Sequence, residues 1–288
     1  MKIKTVVNGS SIEESPLTVI FVSERKKIIT GLLKKIDVES GKRLSKIISE
    51  EEFNGKRGDS LLFNISLKKE DRKILLVGLG EENKIEIDTF RRAAGITYSK
   101  ASERKVKEAA LIILPELSKL INPYQIGKAI AEGFYLSSFE FNLQSKKEDK
   151  KKLDSITICV DTDDLKKKVK AGVSDGQKIC EEVNYIREMV AMPANMMTPS
   201  TVAKKAKEIA RRTGLKCKII SSKEAEKLGM HSFISVTKGS REEAKLIVLE
   251  YIPPSRSKSP CIVLIGKGIT FDSGGISLKP SKGMHQMK

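Results

Sequence analysis

Short runs of apolar and β-branched residues alternate with helical patterns along the first half of the chain. Charged or turn residues bound each run, as is typical of β-strands. The runs predict strands at Leu17–Val22, Leu61–Ser66, Ile74–Leu79, Ala109–Leu114 and Ile156–Val160. Between them, Asp88–Ser102 and Asn122–Ser138 have helical spacing and begin with residues that cap helices. This alternation predicts an α/β fold with a mostly parallel or mixed sheet.

The second half of the chain also mixes helices and strands. A long helical pattern from Ala171 to Met192 ends before Pro193. The other predicted elements are helices at Thr198–Thr213 and Ser222–Leu228 and strands at Lys216–Ile220, Leu246–Tyr251 and Cys261–Ile265. The composition turns sharply polar around Ser145–Lys152 and again at Asp161–Lys170. We therefore expect an amino-terminal domain at 1–160 and a second α/β domain over 161–288.

Composition and charge agree with two globular domains. The chain has 288 residues, 39% of them hydrophobic, which is enough to form packed cores. Lys and Arg number 54 against 37 Asp and Glu, giving a net charge of +17 that would attract polyanions of any kind. Because the lysine-rich stretches also contain Asp and Glu, solvated surface is the simpler interpretation.

The cysteines and the amino terminus indicate a reducing compartment. Cys159, Cys180, Cys217 and Cys261 form no C-x-x-C pair, which favours buried thiols over a zinc site. The first residues lack the apolar core of a secretory signal, and no apolar run is long enough to cross a membrane. We expect a cytoplasmic protein.

Candidate chemistry lies after the predicted strand Cys261–Ile265. Ligands of open α/β sheets bind beyond the carboxyl ends of such strands. Glycines at 266, 268, 274 and 275 would allow Lys267, Asp272 and Lys279 to converge. The alternative is a set of tight turns whose lysine and aspartate face water. A phosphate cradle is not favoured, because neither G-x-x-x-x-G-K-[ST] nor G-x-G-x-x-G is present.

The residues from Gly266 to Ser281, followed by Gly283-Met284 and Met287-Lys288, resemble the core motif of the cytosol (leucine) aminopeptidases. Met192–Pro199 and Leu246–Tyr251 are similar to segments of the same family's catalytic domain. Ala131–Phe141 resembles a helix near the end of its amino-terminal domain. The resemblance covers most of the chain, and it is weaker before residue 120.

The resemblance implies hydrolysis of the amino-terminal residue of peptides by a homohexamer with two divalent cations, Mn²⁺ or Zn²⁺, in each active site. It would make Lys267 a metal ligand, Asp272 a ligand shared with the second metal, and Lys279 a catalytic residue that contacts the substrate carbonyl. These roles are chemically consistent. Nearby dications favour the neutral amine that a ligating lysine needs, and a cationic lysine stabilises an oxyanion.

The family's motif continues with further aspartate, glutamate and arginine residues that would follow Lys288. We therefore expect the second domain to be the truncated first half of an α/β aminopeptidase catalytic domain, inactive by itself because two protein ligands cannot hold two cations. Two alternatives stay open. One is a nucleic-acid-binding protein that uses its basic surface, and the other is a non-catalytic subunit.

Overall fold

The computed structural model describes residues 1–7, 15–25, 28–67, 70–143, 152–252 and 261–287. These residues form two compact units, one up to Ile186 and one from Arg187 onward. Most of the polar stretch 145–152, and Lys288 of the motif, lie outside the described residues. The predicted domain boundary after residue 160 stays a prediction.

The first unit is built on a six-stranded sheet. Its strands are β1 (Lys2–Val7), β2 (Thr18–Val22), β3 (Ser60–Leu67), β4 (Glu70–Gly78), β5 (Glu108–Ile112) and β6 (Ser155–Val160). They are ordered β1-β6-β5-β2-β4-β3, and all neighbours are parallel except β3 and β4. The α/β fold with a mostly parallel sheet is therefore confirmed.

Helices cover both faces of this sheet. They are α1 (Gly31–Glu39), α2 (Arg43–Glu50), α3 (Ile87–Glu103), α4 (Leu117–Leu120), α5 (Pro123–Ser137) and α6 (Asp163–Ala191). All five residues of β2 are buried, and successive side chains enter opposite cores. Phe21 packs in the core formed with α3 and α5, whereas Ile20 packs in the core formed with α1 and α2.

One partly buried ion pair ties α3 to α5. Arg91 of α3 donates two hydrogen bonds, of 2.8 and 2.6 Å, to the buried Glu132 of α5. Arg91 also pairs with Asp88 one turn earlier, at 2.6 Å. A charge removed from water is tolerated when its hydrogen bonds are satisfied in this way.

Some elements of the first unit differ from the sequence-based expectation. The edge strand β1 and the helices α1 and α2 were not predicted. Helix α6 begins at Asp163, eight residues before the predicted Ala171. Its polar first turns are compatible with a helix, because Asp163 and Asp164 lie at the positive end of the helix dipole and Lys168 pairs with Asp164 at 2.7 Å.

The second unit is smaller. It contains α7 (Pro199–Thr213), β7 (Lys216–Ser221), α8 (Ser222–Lys227), α9 (His231–Ser235) and β8 (Lys245–Glu250), with β7 and β8 paired antiparallel. Helix α7 is capped at both ends, since the Thr198 hydroxyl accepts a hydrogen bond from the Thr201 backbone N–H and Gly214 ends the helix in the left-handed conformation.

The predicted strand Cys261–Ile265 was wrong for this structure. These residues adopt no regular structure, and their apolar side chains are exposed, with Leu264 at 93% and Ile265 at 94%. A strand exists only through hydrogen bonds to a neighbouring strand, and among the described residues none pairs with this segment.

No helix in the described part of the chain combines the length and apolar character needed to cross a bilayer.

Candidate functional site

The motif segment folds back on itself in the second unit. The Asp272 backbone N–H donates to the Met287 carbonyl at 2.8 Å, and the Lys279 N–H donates to the Ser273 carbonyl at 2.9 Å. These bonds bring together two side chains that are seven residues apart. The Lys279 Nζ lies 2.8 Å from Asp272 Oδ2.

Gly274 is required by this loop geometry. Its φ is +93°, and a Cβ at this position would overlap the Ser277 carbonyl oxygen. Its backbone N–H also donates to Asp272 Oδ1 at 2.9 Å. Gly275 also has a positive φ, whereas Gly266 and Gly268 do not and have open space around them. Positive φ is therefore found at Gly274 and Gly275, and a close backbone approach at Gly274 only.

Asp272 is the electrostatic centre of the loop. The Lys279 ammonium, followed by the Gly274 N–H, holds the pKa of the Asp272 carboxyl below its usual value. The charge of Lys267 adds a smaller contribution in the same direction. Asp272 is therefore a carboxylate at neutral pH, and it offers the hard anionic oxygen that divalent cations prefer.

The three predicted site residues are arranged unequally. Asp272 and Lys279 are half-buried and in direct contact, while Lys267 is exposed on the irregular segment 261–269. Of the three residues that the sequence analysis expected to converge, Asp272 and Lys279 form an ion pair. Sequence reasoning did not identify the Met287 and Ser273 carbonyls that shape the loop, because backbone acceptors carry no residue-type signal.

The donor set fits part of a metal centre. A carboxylate and a lysine amine are both competent ligands for divalent cations. Within the described ranges no group of three or more His, Cys, Asp or Glu residues could hold a metal ion. Asp272 and Lys267 therefore offer two donors, and one zinc ion normally takes three or four from protein.

Two family models match the chain. Residues 19–147 match the amino-terminal domain of the cytosol aminopeptidase family, and residues 184–288 match its catalytic domain. The second range contains all three predicted site residues.

Curated relatives extend beyond the region they share with this chain. A protein of Alkaliphilus oremlandii named "probable cytosol aminopeptidase" is 34% identical over 291 residues, covering 100% of this chain and 58% of the relative. A protein of the same name from Nostoc punctiforme is 36% identical over 265 residues, covering 90% of this chain and 52% of the relative. The chain thus spans between half and three fifths of their length.

Solved structures show the same fold. A mutant of tomato leucine aminopeptidase superposes with a TM-score of 0.78 at 26% identity, over 95% of this chain and 55% of that one. The bottromycin maturation enzyme BotP in complex with Mn superposes with a TM-score of 0.68 at 24% identity, over 95% of this chain and 52% of that one. None of these findings supports the alternative of a nucleic-acid-binding protein.

Proposed function

The chain belongs to the cytosol aminopeptidase family, and on this premise we propose that the whole protein is a metal-dependent aminopeptidase that releases leucine and similar residues from the amino termini of peptides. The observation that carries the proposal is the catalytic-domain match over 184–288. That range includes the loop in which Asp272 and Lys279 are in contact. The amino-terminal domain would occupy 1–160 and the catalytic domain would begin at 161.

Two divalent cations, manganese or zinc, are the proposed cofactors. Lys267 and Asp272 would supply two of their ligands, with Asp272 shared between the cations. Bound cations would polarise the scissile carbonyl and lower the pKa of the attacking water. Lys267 would ligate as the neutral amine, a form that a nearby dication favours.

Lys279 would act on the substrate. A cationic ammonium next to the scissile carbonyl stabilises the negative charge that develops on its oxygen. To take this role, Lys279 must leave Asp272 Oδ2 when Asp272 ligates. The ion pair opposes that exchange only weakly, because both side chains are partly exposed, at 32% and 48%, and water screens such pairs.

The proposed substrates, location and oligomeric state are those that the same family implies. We propose peptide substrates, a cytoplasmic location and a homohexamer. BotP, which shares the fold, is a manganese complex.

The proposal is tested at the full length of the relatives, by fusing residues 1–288 to the remaining part of the Alkaliphilus oremlandii protein. Release of leucine from a leucyl chromogenic amide and bound metal are measured in parallel. Lys279→Ala should abolish turnover with nearly unchanged metal content, and Asp272→Ala should lower the metal content. Lys282→Ala, an exposed lysine of the same segment, is the matched control. Full activity in Lys279→Ala would remove its assigned role.

Residues 1–288 without the fused part should not release leucine, even with added manganese or zinc. The described residues contribute two metal donors, and one of them, Lys267, lies on the exposed segment 261–269, which forms no helix or strand. Turnover by this polypeptide would contradict the proposal that it is inactive alone, and it would leave the assignment of the family unchanged.

A further inference from the structure

Both oxygens of the Asp272 carboxylate are already engaged by the chain itself. Oδ1 accepts a hydrogen bond from the Gly274 backbone N–H at 2.9 Å, and Oδ2 accepts one from the Lys279 ammonium at 2.8 Å. A dication bound to Oδ2 would lie next to that ammonium, and like charges so close together repel each other. Asp272 can therefore ligate a cation through Oδ2 only when Lys279 moves away.

The loop itself places the Lys279 ammonium at Asp272. The Lys279 N–H donates to the Ser273 carbonyl at 2.9 Å, and a Cβ added to Gly274 would lie 3.0 Å from the Lys279 Cγ, so the side chain passes directly over this glycine. The ammonium also contacts the Met287 Sδ at 3.7 Å. The Met287 carbonyl in turn accepts the Asp272 N–H. The ion pair is therefore part of the fold of the loop.

The charges in the loop agree with this arrangement. Lys279 contributes more than Lys267 to the lowered pKa of Asp272, so the ammonium of Lys279 is the main partner of the carboxylate. An ammonium is a monovalent cation with three N–H donors, and it can satisfy a carboxylate oxygen without a metal. The loop thus holds a cation of its own on the oxygen that a divalent cation would need.

We propose that Lys279 is an internal counter-ion that occupies the ligating oxygen of Asp272 until a divalent cation replaces it. Loading of the site and release of Lys279 toward the substrate are then one exchange. The proposal rests on the proposed function, because it takes Asp272 as a metal ligand and Lys279 as a group that acts on the substrate. It adds a competition for Asp272 and an order of events, in which the cation binds before Lys279 reaches the substrate.

The competition is tested by titrating the fused protein, freed of metal, with Zn²⁺. Lys279→Met removes the competing ammonium and should tighten zinc binding by about twofold to fivefold, the range of an exposed ion pair. Lys279→Arg keeps a cation beside Asp272 and should bind zinc as the parent does. Lys282→Met, at an exposed lysine of the same segment, is the matched control and should also behave as the parent. At saturating zinc all four proteins should hold the same amount of metal.

Two outcomes of this titration would overturn the exchange. One is a Lys279→Met variant that binds zinc with the affinity of the parent. The other is an equal change in Lys279→Met and Lys282→Met, because removal of any nearby positive charge would then account for the effect.

The release of Lys279 is followed by acetylation of lysine amines with and without Zn²⁺, measured for each peptide by mass spectrometry. Zinc should speed the labelling of Lys279 severalfold relative to Lys282, because the Lys279 amine no longer donates to Asp272. Lys267, the proposed ligand, should be protected at the same time, because a ligated amine has no free electron pair.

Lys267 and Lys279 together separate the two proposals. Protection of Lys267 with no change at Lys279 would overturn the exchange and leave the metal-dependent function standing. A fused protein that neither binds zinc nor protects Lys267 would contradict the proposed function, and with it the exchange that rests on it. Protection of Lys267 with faster labelling of Lys279 would support both.

Discussion

Glu82 is a surface residue whose ionisation is linked to folding. Its carboxylate accepts hydrogen bonds from Arg25 Nε at 2.9 Å and from the Ser23 hydroxyl at 3.0 Å. The hydrogen bond from Arg25, followed by that from Ser23, lowers the pKa of Glu82. These contacts join the segment after β2 to the turn after β4, and protonation of the carboxyl group would weaken them.

The sign of the pH effect follows from this lowered pKa. The folded chain binds fewer protons at Glu82 than the unfolded chain does, so Glu82 stabilises the fold above its unfolded pKa of about 4.3. That contribution is lost as the pH falls through the lower folded pKa. In urea unfolding at pH 7 and pH 3, Glu82→Gln should therefore lose less stability on acidification than the parent. An equal loss in both would contradict the linkage, and Glu39→Gln, an exposed carboxylate on α1, is the control.

Two glycines allow the helices α5 and α6 to pack closely against each other. Gly127 and Gly172 lie where the helices cross, and a Cβ at either would overlap a backbone carbonyl oxygen of the opposite helix. Asn184 extends the contact by donating to the Tyr135 carbonyl at 2.9 Å. Glycine is therefore retained here in spite of its low helix propensity, because close approach buries more surface.

Gly172→Ala should destabilise the first unit by about 1–3 kcal/mol, since the added methyl group forces two helix backbones apart. Gly239→Ala is the matched control, because Gly239 has an ordinary φ and open space where a Cβ would lie. Thermal unfolding of both variants checks the prediction. A Gly172→Ala variant as stable as the parent would show that the helices separate without cost.

At the scale of the whole molecule, protection from solvent is uneven. β2 lies between β4 and β5 with every residue buried, whereas the segment 261–269 has no strand or helix and is exposed. Backbone amides that are buried and hydrogen-bonded exchange only through large openings, while amides in irregular exposed segments exchange directly.

Hydrogen–deuterium exchange of residues 1–288 should therefore be slowest in peptides that cover β2 and fastest in those that cover 261–269. Peptides from β7 and β8 should lie between these extremes, because they form a two-stranded sheet that is partly exposed. Slow exchange at 261–269 would show that this segment is covered in solution, and the exposed state described above would then be wrong.

The sequence alone determined the elements whose patterns are local. β2, α3, α5 and α7 all lie within one residue of their predicted bounds, because periodicity and caps record which face of each element is buried and where it ends. The motif from Gly266 to Ser281 indicated the family for a related reason. Its chemistry requires particular residue types at fixed spacing, and both can be recognised from the amino-acid sequence alone.

Only the tertiary structure decided which distant segments meet. The first strand pairs with the last strand of the sheet, Lys2 opposite Ser155, and nothing in either segment specifies that neighbour. The ion pair between Asp272 and Lys279 likewise depends on backbone bonds to Ser273 and Met287. The apolar run Cys261–Ile265 has the composition of a strand but does not form one. A strand requires a neighbouring strand to pair with, and composition does not supply that neighbour. Local sequence patterns show which side chains become buried. Which distant segments pair with one another depends on how the whole chain folds.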